Sequence, residues 1–499
     1  MKKLRASDEL TEYLLGASEE DRAVIEDMFS SLESRLNLAS VYERGIMRDY
    51  DRALVYLLST GVSPDEAVKR LDPEKLGGYY CRESKTWYPL DSSAKVYPLS
   101  MSRNKMQVFR LSAYMTEPVV PELLQVALNA VITRFPCFAV SVRRGFFWHY
   151  LDGLKARFEV TEENDIPCGE IDISSSRSPA FRVQYYGDRI SIEFFHILTD
   201  GTGGMVFLKT LVAEYARLLG ADIPCTHGVA DIRAIPDPQE SENSFLEWYK
   251  PGPTGGFMGS PAAQMGGRLT RKRPSGVIHF IMDSDELRSA ARQKGVSVTT
   301  LLTAAIFVAS RASMDSPDGN IQIQIPVDMR RIHPSVTLRN FSLYASLKIP
   351  AGKVNNLDSI LADVSEQLKS GTSEEYLNHM LTSAVMLVNA ARPIPLALKG
   401  WFIRIIYGFL GDKLFSNTLS NLGIVEIPDE LCHYVRMMDF VLGTVITNRA
   451  ACSMVTVNGK AVLSIAKLTR DPSFEERLYA ELTALGIHIE AEGSARNED

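Results

Sequence analysis

The stretch Arg189-Ile-Ser-Ile-Glu-Phe-Phe-His196-Ile-Leu-Thr-Asp200-Gly201-Thr-Gly203-Gly204 constrains the fold more than any other part of the chain. Ile190, Ile192, Phe194 and His196 alternate with Ser191, Glu193 and Phe195, the period of two of a β-strand. Asp200-Gly201 breaks the run. Met205, Leu208, Val212, Tyr215 and Leu219 then recur at helical spacing until Gly220 closes the helix. A strand thus delivers His196 to the mouth of a sheet, and an acid follows four residues later at the turn into a helix. An imidazole held there is fixed in direction and still reaches a cavity beyond the sheet edge. That suits a general base taking a proton from a hydroxyl or an amine. A core histidine followed by a helix-capping aspartate fits the same local residues equally well. The rest of the chain has to decide.

Composition narrows the choice. The 499 residues suffice for two or three domains with real cores, and 45% apolar with 23% charged residues is ordinary for a soluble globular protein. A net charge of −7 argues against nucleic acid as a partner. Residues 1–75 hold 11 Lys/Arg against 16 Asp/Glu (11 − 16 = −5), so most of the excess sits there. Six scattered cysteines without a Cys-x-x-Cys pair predict neither a zinc site nor a disulfide framework, and they fit a reducing cytoplasm. The N-terminus lacks the apolar core of a signal peptide, and no run of about 18 apolar residues predicts a spanning helix. Gly201-Thr-Gly203-Gly204 has Val206 where a dinucleotide loop needs its third small residue. Neither a Gly-x-Ser-x-Gly elbow nor a Walker loop occurs, which disfavours a serine hydrolase or an NTPase. His149 and His279 stand in strand-like surroundings without metal-ligand spacing, so no metal is expected.

Residues 1–78 read as an acidic helical extension. Ser63-Pro64-Asp65-Glu66 is a helix start with a capping serine, proline at the first helical position and Glu three residues on. Asp72-Pro73 and Gly77-Gly78 make a linker. A packed extension is the default role for this segment, with protein docking through residues 1–75 as the alternative. Residues 79–250 form a first mixed lobe, with strands expected at 107–114, 138–151 and 181–186 and a helix from Pro121. Residues 251–275, rich in Pro and Gly, form the crossover, and 276–499 a second lobe of the same α/β texture. There the expected strands are 276–282, 320–326, 341–349, 422–427, 435–446 and 461–467.

With the motifs in hand, the chain resembles the CoA-dependent acyltransferase superfamily, which includes chloramphenicol acetyltransferase, condensation domains and alcohol acyltransferases. His196-x-x-x-Asp200-Gly201 carries the resemblance together with Arg134-Phe135-Pro136, Ile325-Pro326-Val327-Asp328-Met329-Arg330, Leu338-Arg339-Asn340-Phe341 and Thr418-Leu-Ser420-Asn421-Leu422-Gly423. With Trp87-Tyr88-Pro89-Leu90, the likeness is nearest to bacterial alcohol O-acetyltransferases and spans about residues 80–470. It implies a mixed α/β fold of two lobes around a central channel. His196 is then the general base, and Asp200 is a motif acid paired with Arg330 that holds the turn. Gly201 permits that turn, and Asn340, Ser420 and Asn421 line the channel. Acyl-CoA is the co-substrate and no cofactor is permanently bound. The acceptor is a small or lipid-like alcohol. A carrier-protein donor or a non-catalytic scaffold is the alternative, the latter motivated by Phe195, which replaces the second histidine of condensation domains. Arg268-Leu-Thr-Arg271-Lys272-Arg273 is a solvated linker or a contact for CoA phosphates. The apolar 395–410 stretch packs along the channel, with peripheral membrane contact as its other reading.

Overall fold

The computed structural model describes residues 6–81, 86–95, 97–100, 106–255, 261–270, 276–399, 415–443 and 448–493. Four helices open the chain: Asp8–Gly16, Glu19–Ser34, Ser40–Ser59 and Pro64–Leu71. Ser7, Ser18 and Ser63 cap three of them by accepting backbone N–H bonds that no helical carbonyl can take. The apolar faces run inward without a break. Tyr50, Leu54, Leu57, Leu71, Leu76 and Tyr80 belong to the same core as the helix Pro121–Val131. The expected linker is therefore not free chain: Pro73–Leu76 forms a 3₁₀ turn with Leu76 buried, and Lys75 pairs with Glu214 at 2.5 Å.

The first lobe is built on β2 (Val108–Met115), β5 (Val160–Glu162), β6 (Phe181–Tyr186) and β7 (Arg189–Phe195). A fifth strand, β12 (Val435–Leu442), comes from the far end of the sequence, and the order is β12-β2-β7-β6-β5. The span 276–499 is thus not confined to one lobe. Edge strand β2 has free backbone groups along one side, and β12 satisfies them in antiparallel register. β1 (Trp87–Pro89), β3 (Val140–Arg144) and β4 (His149–Gly153) form a small separate sheet.

Among the described residues, the sheet of the second lobe holds seven strands. They are β8 (Gly276–Asp283), β9 (Asn320–Asp328), β10 (Ser342–Pro350), β11 (Asn417–Ile424), β13 (Ala450–Val457), β14 (Lys460–Lys467) and β15 (Ile489–Gly493). Their order is β10-β9-β11-β13-β14-β8-β15. The helices Val298–Ala312, Leu357–Gly371 and Ser473–Ala484 supply apolar side chains to its core. The crossover does not hang free, since Ser383 of helix Glu374–Ala390 accepts from the Gly255 N–H at 2.8 Å.

Alternation in β7 does not separate a wet face from a dry one, because every residue from Ile190 to Phe195 is buried. Glu193 survives there by pairing. Its two carboxylate oxygens accept from Arg110 Nε at 2.8 Å and Arg182 Nε at 2.7 Å. Among the described residues, no single helix is long and apolar enough to cross a membrane.

Candidate active site

His196 follows the last residue of β7, and its backbone N–H donates to the Gln107 carbonyl at 2.8 Å, which ties it to the strand beside it. The ring lies against Tyr97, with centroids 4.9 Å apart, and against the edge of Phe109 at 5.2 Å. Residues 191–195 and 197–200 are buried, whereas His196 is half-buried, so the imidazole reaches accessible space from a packed base. Its Nδ1 meets Asn340 Oδ1 at 2.8 Å. An amide oxygen only accepts, so Nδ1 carries the proton and Nε2 keeps its lone pair. This is the protonation state of a base.

Asp200 caps the helix Gly201–Leu218, its Oδ1 accepting from the Gly203 N–H at 3.1 Å. Its Oδ2 accepts from Arg330 Nη1 at 2.9 Å and from the Phe341 N–H at 2.8 Å. Arg330 also donates to the carbonyls of Thr337 and Arg339 and pairs with Asp328. Burial opposes the charge on this guanidinium, but the carboxylates of Asp200 and Asp328 outweigh it and hold its pKa above the ordinary value. Thr199 adds a further tie by donating to the Leu338 carbonyl at 2.6 Å. The motif acid and its arginine therefore grip residues 337–341 of the second lobe, the loop that carries Asn340 to the histidine. The sequence places these groups 130 to 144 residues apart, and the fold brings them together.

Residues 282–398 match the family model described as phthiocerol/phthiodiolone dimycocerosyl transferase C-terminus. An uncharacterized protein of Mycobacterium tuberculosis is 24% identical over 316 residues, covering 57% of this chain and 70% of that protein. Among solved structures, TRI101 of F. sporotrichioides complexed with coenzyme A and T-2 superimposes with a TM-score of 0.57 at 13% identity. That match covers 81% of this chain and 99% of the other. Polyketide synthase associated protein 5 of Mycobacterium tuberculosis gives 0.54 at 14% identity, covering 81% and 99%. Over 81% of its length the chain shares the fold of these two proteins, and residues 282–398 carry the match to the transferase family model. The branch whose model matches is the dimycocerosyl transferase one, whereas the sequence motifs pointed toward alcohol O-acetyltransferases.

Within this two-lobed fold, the remaining expected site residues separate into groups. Gly201 is the first residue of its helix and does not have a positive φ. A Cβ there would stand 2.8 Å from Leu422 Cδ2, a side-chain end that is free to shift. Gly203 is tighter still: a Cβ would lie 2.1 Å from the Leu338 carbonyl oxygen. Asn421 donates to Thr299 Oγ1 at 3.1 Å and accepts from the Gly423 N–H at 2.8 Å, shaping the irregular end of β11. Ser420 is half-buried on the same strand, two residues before the Leu422 that meets Gly201. Asn340 is 1% exposed and uses both ends of its amide, on His196 and on Asp91.

Asp91 and Tyr97 are the site neighbours that motif reading passes over. Asp91 sat in plain view at the end of Trp87-Tyr-Pro-Leu-Asp91, but nothing local signals its partner. Phe195, in the place of a second histidine, is fully buried. His279 is half-buried against Ser464 and Asp439, and burial depresses the pKa of His149 to about 4. Among the described residues, no cluster of His, Cys, Asp or Glu is placed to hold a metal ion. Two cavities of about 300 and 260 Å³, beside Gly276–Ile278 and beside His149, are not lined by His196. Residues 271–273 of the basic stretch and 400–410 of the apolar one lie outside the described residues.

Proposed function

We propose that this protein is an acyl-CoA:alcohol O-acyltransferase with His196 as general base. The observation that carries the reading is the anchored imidazole, with Nδ1 bound to Asn340 and the ring half-buried at a strand end. His196 Nε2 takes the proton of the acceptor hydroxyl as its oxygen attacks the thioester carbonyl. The tetrahedral oxyanion collapses, the carbon–sulfur bond breaks, and the imidazolium returns its proton to the leaving thiolate. The products are an ester and free CoA. Asp200 and Arg330 hold the 337–341 loop in register for this chemistry, and Asp200 moves no proton. Support for CoA as donor comes from TRI101, whose structure contains coenzyme A. Support for a lipid-like acceptor comes from the matched family, whose name is that of a dimycocerosyl transferase.

The test is thiol release from acyl-CoA donors of short and long chain with a panel of small and lipid-like alcohols. Acceptor-dependent release is expected, and His196→Ala should lower it by roughly 10²–10⁴-fold, the usual contribution of a positioned base. Near-normal turnover in that variant would remove His196 from the mechanism. No release by folded wild-type protein with any donor would favour a non-catalytic two-lobed scaffold.

A further inference from the structure

We propose that Asp91 is a positioning residue that sets the tautomer of His196, acting through the amide of Asn340; this rests on the general-base role given to His196 above. Asp91 is fully buried. Its Oδ1 accepts from Ser93 Oγ at 2.8 Å and from the Ala94 N–H at 2.7 Å. Its Oδ2 faces Asn340 Nδ2 at 3.2 Å and Arg339 Nη2 at 3.6 Å. Arg339 also donates to the Pro89 carbonyl at 2.8 Å, so the arginine beside Asn340 fastens the 89–91 segment in place.

The direction of the chain of hydrogen bonds follows from what each group is able to do. A side-chain amide has a donor end and an acceptor end of nearly equal size, and both orientations fit the same space. With its oxygen toward His196, Asn340 requires the proton on Nδ1 and frees Nε2. With its NH₂ toward His196, it requires the proton on Nε2 and removes the base. A carboxylate only accepts, so Asp91 admits only the donor end of Asn340. That leaves the amide oxygen for Nδ1, 2.8 Å away. One buried charge thus selects the productive tautomer from two residues away.

Asp91→Asn tests this directly. Ser93 and Ala94 still require an oxygen on the Oδ1 side, so the new NH₂ falls on the side of Asn340. Two donors then face each other, Asn340 turns over, and the imidazole proton moves to Nε2. The swap Asp91→Asn/Asn340→Asp restores the order: the new amide donates to the new carboxylate, whose other oxygen accepts from Nδ1–H.

The tautomer is read by ¹⁵N NMR of histidine-labelled protein, with His196 assigned by its loss in His196→Gln. The wild type should show a protonated Nδ1, Asp91→Asn a protonated Nε2, and the swap the wild-type pattern. In parallel, kcat should fall roughly 10²-fold or more in Asp91→Asn with KM within about two-fold, and recover in the swap. If Asp91→Asn does not fold, Asn340→Ala leaves the turn at Ser93–Ala94 intact and should likewise release the proton to Nε2. A wild-type tautomer in Asp91→Asn, or in Asn340→Ala, would overturn the proposal. The expected tautomers in a protein without transfer activity would uphold Asp91's role and strike only the acyltransferase reading.

Discussion

Asp49 meets Arg157 through two hydrogen bonds, at 2.7 and 2.8 Å, whereas Asp200 meets Arg330 through one, at 2.9 Å. By geometry alone the first pair is the stronger. Their surroundings reverse that order. Arg157 is 18% exposed and also bonds Glu159, and the helices around Asp49 are joined to the first lobe by continuous apolar packing. Burial pushes the Asp49 carboxyl above its usual range against the pull of Arg157 and Asn129. Arg330, in contrast, holds two loop carbonyls besides Asp200, and that loop presents Asn340 to His196. One junction rests on apolar area and the other on directed polar bonds. A pair's worth is set by what else depends on it.

The largest effect should come from removing the apolar junction altogether. Deleting residues 1–77 uncovers the helix Pro121–Val131, of which residues 123–131 are all buried. Aggregation is expected on size-exclusion chromatography. A soluble, active truncated body would show instead that the N-terminal helices are a dispensable extension.

Next come Arg330→Ala, which strands the buried Asp200 carboxylate, and Asp200→Asn, which leaves the buried Arg330 only its pair with Asp328; each is expected to cost about 3–5 kcal/mol. Activity should fall with stability, and the double variant should lose less than the sum. Denaturant unfolding of the full cycle decides, and additive losses would mean that the pair is not coupled. Gly203→Ala should cost less, about 1–3 kcal/mol, by forcing the helix start off the Leu338 carbonyl. An unchanged melting temperature would show that the motif turn has slack.

Asp49→Asn should be the mildest, at about 1 kcal/mol or less, since Arg157 keeps Glu159 and the amide mimics a protonated carboxyl. The pH dependence sharpens this. A carboxyl raised by burial contributes most when protonated, so its share is complete below the unfolded value and is lost as pH rises through the folded one. Wild type should therefore lose stability relative to Asp49→Asn as pH rises from acid toward neutral. A relative gain by wild type would mean that the attraction to Arg157 outweighs burial.

Much of this architecture was legible before folding. Periodicity located β7, the helix that follows it and most of the second lobe's elements to within a few residues, because backbone geometry repeats locally. His196, Asp200 and Arg330 were readable from their motifs. The strand Ala450–Val457 was missed although Asn458-Gly459, both at positive φ, is a plain hairpin turn. What no local pattern encodes is pairing. The strand Val435–Leu442 reads as an ordinary member of the second half, and only the unpaired edge of Val108–Met115 decides that it completes the first lobe. Glu193 alternates like a solvent-facing residue and is buried, because arginines from other strands reach it. Asp91 and Asn340 lie 249 residues apart, and Asn340 and His196 lie 144 apart. The sequence by itself determined the elements and the residue proposed to do the chemistry. The tertiary structure decided which of that residue's nitrogens is free, because the direction of a hydrogen bond depends on the partner that folding brings to it.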